Sequence, residues 1–402
     1  MPTPTRTTAT RTQTTATARA GAALARCLAP ADADAFLSER WERAPAHVPR
    51  DEPERFADLL TRADAERLVT ATGIRMPGFR LVKAGEQVGG YVRHIPWRPR
   101  PFTNAIDVRR VLAEFADGAT IVLQALHISH EPVAGFARQL EHELGHPVQV
   151  NAYYTPRAAQ GLPVHHDTHD VFVLQVAGEK RWLVHEPVLD LPLRTQRYSP
   201  ALGAPGPVVL DVTLRPGDTL YLPRGWLHEA VTSDTDSLHL TIGVNVITWQ
   251  QAIRDALDET GDNVAMRRSI DAGSLDDALQ VLAERLGERD VERRRVARLV
   301  RRSQPLLADG FDQLRALDDL GPDTPLERRP AHALLREDGE GGLVLEHDGG
   351  ELRLAGELRE EVEAVLEADG TFTASELPGT LDEDNRIAFV ARLVRDGLVR
   401  IA

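Results

Sequence analysis

Between residues 80 and 250 the chain is a series of short apolar runs, each cut off by glycine or proline: TIVLQALHIS, VQVNAYY, DVFVLQVAG, KRWLVHEP, PVVLDVTL, DTLYLP and LHLTIGVNVI. Runs of this length bounded by turn formers read as strands, and those without a polar alternation must be buried on both faces. So many short strands in series close most naturally as a barrel or jelly roll. Helical spacing flanks them. It covers residues 21–70, as in ADADAFLSERWERAP and PERFADLLTRADAERLV, and residues 250–318, as in LDDALQVLAERLG and the arginine-rich ERDVERRRVARLVRRSQPLL. GGLVLEHDGGELRLAG then reads as a hairpin turning near His347–Gly350, followed by two helical stretches and the terminal GLVRIA. The fold class is α+β.

A chain of 402 residues needs more than one core. Its 42% hydrophobic and 27% charged residues suit a globular protein, and its one cysteine, Cys27, excludes a disulfide framework or a thiolate zinc cluster and fits a reducing cytoplasm. No apolar run approaches the roughly 20 residues that span a bilayer. A net charge of −14 argues against a nucleic-acid surface and suits a basic partner. The first 20 residues are rich in threonine, carry three arginines and no acid, and read as a disordered tail.

The stretch HHDTHD, residues 165–170, concentrates potential metal ligands. Ligands on one strand must share a face and so lie two residues apart, which selects His165 and Asp167 as the histidine–carboxylate pair. A third ligand is expected from a later strand. RPGDTLYLPRGWLHEA supplies His228 just after the Arg224–Gly225 turn. Two histidines and one carboxylate on a small β-barrel form the facial triad that leaves adjacent positions open on Fe(II), although zinc or another divalent ion could use the same set.

Forty-five of the 47 basic residues are arginine; the two lysines are Lys83 and Lys180. Lys180 opens the strand KRWLV after the Gly178 turn, which is expected to run antiparallel to DVFVLQV and bring the ammonium into the same barrel. A facial-triad oxygenase using 2-oxoglutarate needs a buried cation for the far carboxylate. A lysine retained among so many arginines suggests a compact point charge.

The block NAYYTPRAAQGLPVHHDTHDVFVLQVAGEKRWLV, with LRPGDTLYLPRGWLHEAVTSDTDSLHLTIGV, closely resembles the JmjC-type ribosomal oxygenases, which are cupin-like protein hydroxylases. The resemblance implies a double-stranded β-helix (jelly roll or cupin) catalytic domain over 21–250. A helical dimerisation segment over 251–325 and a winged-helix-like domain over 326–402 would follow. It implies that His165, Asp167 and His228 ligate iron, with no separate acid or base, and that Lys180 binds the C5 carboxylate of the cosubstrate 2-oxoglutarate. Asn151 falls where members place a pocket asparagine, Tyr153 shares its face, and His239 and Thr241 alternate inward on a later strand. Gly243 stands where some members have serine, which puts one cosubstrate hydrogen bond in doubt. His166, His169 and Asp170 are then non-ligands near the site mouth.

The expected reaction is hydroxylation of an arginine or histidine side chain of a basic ribosomal protein, with release of succinate and CO2. Rival readings are hydroxylation of a peptide natural product or small metabolite, and a non-enzymatic metal-binding regulatory cupin. The basic stretch YVRHIPWRPRPF (91–102) reads as an exposed connector. Residues 361–402 carry nine acids against four arginines, so direct DNA binding is not expected, and the acids of LDEDNR read as a helix cap. A cytoplasmic homodimer is the expected state.

Overall fold

A computed structural model describes residues 21–402; the threonine-rich tail lies outside the described residues. The chain divides by its contacts into two compact units that meet in sequence at Val246/Ile247.

In the first unit the strands are β1 (Ala46–Val48), β2 (Phe79–Lys83), β3 (Glu86–Val88), β4 (Val92–Ile95), β5 (Phe102–Ile106), β6 (Thr120–Leu123), β7 (Val148–Thr155), β8 (Asp170–Ala177), β9 (Lys180–His185), β10 (Val208–Leu214), β11 (Thr219–Leu222), β12 (Leu227–Thr232) and β13 (Ser237–Val244). An eight-stranded sheet runs in the order β1-β11-β8-β13-β7-β6-β2-β3, and a three-stranded sheet in the order β10-β9-β12. All pairings within both are antiparallel. This is the double-layered, cupin-like arrangement expected of the strand series.

Period-two alternation explains how the large sheet is buried twice. In β8, Phe172 and Leu174 join an outer core, while Val171 and Val173 join an inner one. On β13, Leu238, Leu240, Ile242 and Val244 likewise face the outer core. That core is closed by helices α1 (Ala22–Leu28), α2 (Ala33–Glu39), α3 (Arg62–Thr70), α4 (Val108–Ala116) and α6 (Glu131–Leu144), while α5 (Leu126–Ser129) is a single turn. The inner core, Val171, Val173, Trp182, Val184, Leu214, Leu220 and Leu222, draws on both sheets and fills one part of the space between them. The rest of that space is a cavity.

Two expectations are corrected here. β9 does not pair with β8: its partners are β10 and β12. The turn between β8 and β9 carries the chain from one sheet to the other, and Gly178 makes this possible. Its φ is +63°, and a Cβ there would lie 1.8 Å from the Asp236 carbonyl oxygen. Lys180 still enters the barrel, but from the opposite wall. The stretch 91–102 is not a plain connector, because β4 and β5 pair as a hairpin within it.

The second unit begins with α7 (Trp249–Asp258), α8 (Val264–Arg267), α9 (Leu275–Glu284), α10 (Glu288–Arg302) and α11 (Gly310–Ala316). Its arginine-rich α10 is held to the preceding helical turn by Arg294–Glu259 at 2.7 Å and Arg298–Asp255 at 2.8 Å. β14 (Leu326–Arg328), β15 (Ala333–Glu337), β16 (Leu343–His347), β17 (Gly350–Leu354), α12 (Arg359–Glu367), β18 (Thr371–Phe372), α13 (Glu383–Arg395) and β19 (Val399–Ile401) follow. They make two three-stranded sheets, β18-β14-β19 and β15-β16-β17, with a shared apolar core. The hairpin turn falls at 347–350 as the sequence indicates. Asp382 caps α13 by accepting from Asn385 N at 2.9 Å. Among the described residues no helix is long and apolar enough to cross a membrane.

Candidate metal centre

His165 and His228 are brought together by backbone before any side chain is considered. His165 N donates to His228 O at 3.1 Å, and His228 N donates to His165 O at 2.8 Å, an isolated antiparallel bridge. Residues that exchange both bonds in this way carry their side chains on the same side. Two residues on, Gly225 N donates to Asp167 O at 3.0 Å and extends the zip. One potential ligand atom from each of His165, Asp167 and His228 therefore lies within 4.8 Å of the others.

The imidazoles are oriented for ligation. His165 Nδ1 is 2.8 Å from Pro163 O, and His228 Nδ1 is 3.0 Å from Trp226 O. A carbonyl only accepts, so each Nδ1 carries the proton and each Nε2 presents a lone pair. His228 Nε2 stands 3.8 Å from Asp167 Oδ2. Burial, with His165 nearby, lowers the His228 pKa to about 4, so the ring is neutral and ready to bind a cation at neutral pH. Burial acts to raise the Asp167 carboxyl, but His169, His165, His228 and His166 together hold it below its ordinary value.

The three residues line a cavity of about 590 Å³ between the sheets. Lys180 lies on its wall, 5% exposed. The Nζ donates to Thr155 Oγ1 at 3.0 Å, and among the described residues no carboxylate pairs with it. Burial lowers its pKa to about 7. A buried cation with a single hydroxyl partner is costly, and an incoming carboxylate relieves that cost. Tyr153 and His239 stack at 5.2 Å on the same lining, and Thr241 completes the inward row of β13.

Residues 125–252 match the model of the JmjC domain. The chain is a JmjC-domain protein. It is 32% identical over 219 residues to ribosomal oxygenase 1 of Gallus gallus, covering 54% of this chain and 35% of that one. It is 29% identical over 218 residues to the bifunctional lysine-specific demethylase and histidyl-hydroxylase NO66 of Drosophila persimilis, covering 54% and 30%. The chain thus spans about a third of the length of these curated relatives. The structure of YcfD, a ribosomal oxygenase from Escherichia coli, in complex with cobalt and 2-oxoglutarate superposes with a TM-score of 0.53. That match covers 91% of this chain and 97% of that one at 18% identity, a likeness of fold.

Within this JmjC domain the expected residues divide. His165, Asp167, His228, Lys180, Tyr153, His239 and Thr241 converge on one cavity. Asn151 is not among its lining residues. Its Oδ1 accepts from Ala125 N at 3.0 Å and steadies the left-handed residue before α5. His165 and Asp167 precede β8 rather than lying on it. Asp170 is not at the site mouth: it is fully buried, accepting from Tyr221 OH at 2.9 Å and from Arg224 Nη1 at 3.0 Å, and Arg224 also pairs with Glu42. His166 is buried too, its Nε2 3.2 Å from Gln196 O.

Trp182, Thr120, Glu229 and the Lys180 partner Thr155 escaped the sequence reading. Alternation could have found two of them, since Trp182 is two residues beyond Lys180 and Thr155 two beyond Tyr153. Thr120 sits on β6, a strand that no motif marks.

Proposed function

We propose that this JmjC domain is a 2-oxoglutarate- and Fe(II)-dependent oxygenase that hydroxylates an arginine or histidine side chain of a ribosomal protein, releasing succinate and CO2. One observation carries the reading: a histidine–carboxylate–histidine cluster and an unpaired buried lysine line the same cavity. The donor set fits iron, because two Nε2 lone pairs and one carboxylate leave adjacent coordination positions open. Lys180 fits a dicarboxylate. It gives the far carboxylate its counter-charge while the keto-acid end faces the triad. When bound, iron with 2-oxoglutarate and O2 supplies the oxidising power that inserts one oxygen atom into a C–H bond.

The chain's own residues do the rest. His165 and His228 hold their rings by carbonyl bonds, Thr155 fixes the Lys180 ammonium, and Trp182, Tyr153 and His239 wall the cavity. A ribosomal target is supported by the names of the relatives and by charge, since a chain of net charge −14 attracts a basic protein segment. We further infer that the segment 251–325 pairs two copies in a cytoplasmic homodimer, with 326–402 a winged-helix-like, protein-binding domain. Exposed apolar side chains at helical spacing support the pairing: Trp249, Ile253 and Leu257 on α7, Leu275 and Leu279 on α9.

Two measurements test the function together. Anaerobic addition of Fe(II) and 2-oxoglutarate is expected to give a visible charge-transfer band that His165→Ala abolishes. Mass spectrometry of ribosomal proteins is expected to find one that is lighter by a single oxygen atom in cells lacking the gene. A band without any ribosomal change moves the substrate to a peptide or metabolite. Absence of the band defeats the oxygenase.

A further inference from the structure

The third histidine of HHDTHD has a place that the function above does not use. Along the inner face of β13, His239 and Thr241 line the cavity, and the next residue in that row is Gly243. The imidazole of His169 occupies the space where a side chain at 243 would stand. A Cβ on Gly243 would lie 3.0 Å from both Cε1 and Nδ1 of His169 and 3.1 Å from Cγ of Gln149. Gly243 has ordinary backbone geometry, so this glycine is required by the neighbour and not by φ. His169 Nδ1 is thereby held dry, buried without a hydrogen-bond partner.

Asp167, two residues earlier, has the complementary deficit. Its main-chain oxygen is bonded to Gly225 N, but among the described residues no donor is hydrogen-bonded to its carboxylate. Carboxylates that ligate metals are normally fixed by such a donor, and losing it costs about 10–100-fold in metal affinity. His169 also exerts the strongest pull on this carboxylate of the four surrounding histidines.

We infer that His169, admitted by Gly243, is the positioning residue that orients the Asp167 carboxylate for metal binding, with Nε2–H as donor and Nδ1 parked against the glycine. The inference rests on the metal reading of His165, Asp167 and His228. It also gives the glycine at 243 a reason: a serine or alanine there would push the ring out.

Titration calorimetry of the full chain with Co(II) tests it, alongside thermal melting of the metal-free protein. His169→Ala is expected to weaken Co(II) binding by about tenfold or more without lowering the metal-free melting temperature. Gly243→Ala should produce a similar loss by crowding the ring, and the double variant should be no weaker than His169→Ala alone, because both changes remove one interaction. His169→Gln, which keeps an N–H donor, should recover part of the affinity and guards against a folding artefact. Unchanged Co(II) affinity in His169→Ala, or fully additive losses in the double variant, overturns the inference while leaving the metal centre intact. No Co(II) binding by the unmodified chain overturns both.

Discussion

Lys180 concentrates the chemistry of the site in one atom. It is buried, bonded to a single hydroxyl, and lowered to about 7 by desolvation, so its charge is lost as pH rises through neutrality. A dicarboxylate binds the charged form. One pH unit above 7 only about a tenth of the free protein carries that charge, so 2-oxoglutarate affinity should fall about tenfold there, and binding should take up a proton. Calorimetry in buffers of different ionisation heat measures both, and affinity that is flat between about pH 6.5 and 8.5 would remove Lys180 from the cosubstrate site. The sign for stability is opposite. With its folded pKa below the unfolded value, Lys180 makes the ligand-free fold more stable as pH rises from about 7 toward the ordinary lysine range near 10.4. Lys180→Met should accordingly abolish 2-oxoglutarate binding while raising the ligand-free melting temperature, a pairing that simple damage to the fold cannot produce. The lysine stood out in the sequence because arginine is used almost everywhere else. Its partner Thr155 did not, because one threonine on an apolar strand looks like any other.

At the level of elements, the site depends on a buried ion pair that touches no ligand. Asp170 opens β8, and Arg224 lies in the turn before β12. Their 3.0 Å contact, with Tyr221 and Glu42, clamps the start of one strand to the entrance of another. His165 and Asp167 lie just before that clamp, and His228 lies just after it. Their side-chain exposures are 0% for Asp170 and 7% for Arg224, so neither has water to fall back on. Asp170→Ala should cost about 3–5 kcal/mol in urea unfolding, because the guanidinium is left buried with only the partly exposed Glu42. Metal binding should weaken with it. A loss below about 1 kcal/mol would mean that solvent reaches Arg224. The turn at Gly178 makes a similar demand. A Cβ there meets the Asp236 carbonyl, so Gly178→Ala must shift the chain where it crosses between sheets. Alternation in the sequence marked β8 and β9 as strands. It could not say that they belong to different sheets, because a tight turn joins neighbours in one sheet just as readily.

For the whole molecule, the two units divide the work in the reading proposed above. The first holds the cavity, and the second carries exposed apolar side chains on α7 and α9. If those helices pair two copies, Trp249→Glu with Ile253→Glu should halve the mass measured by light scattering and leave the Fe(II)–2-oxoglutarate band unchanged. A monomeric unmodified chain at micromolar concentration would exclude the pairing.

The sequence by itself determined which segments are strands, that a histidine–carboxylate pair two residues apart stands near a third ligand, and that one lysine is exceptional. These are local facts, fixed by side-chain period and turn chemistry within a few residues. Tertiary structure decided which strands pair, that Asn151 supports α5 and does not line the cavity, that Asp170 is a clamp remote from the mouth, and that His169 occupies the space left by Gly243. The physical reason is distance along the chain. Asp170 and Arg224 are 54 residues apart, and His169 and Gly243 are 74 apart. No periodic pattern encodes a contact between segments that only the closure of two sheets brings together.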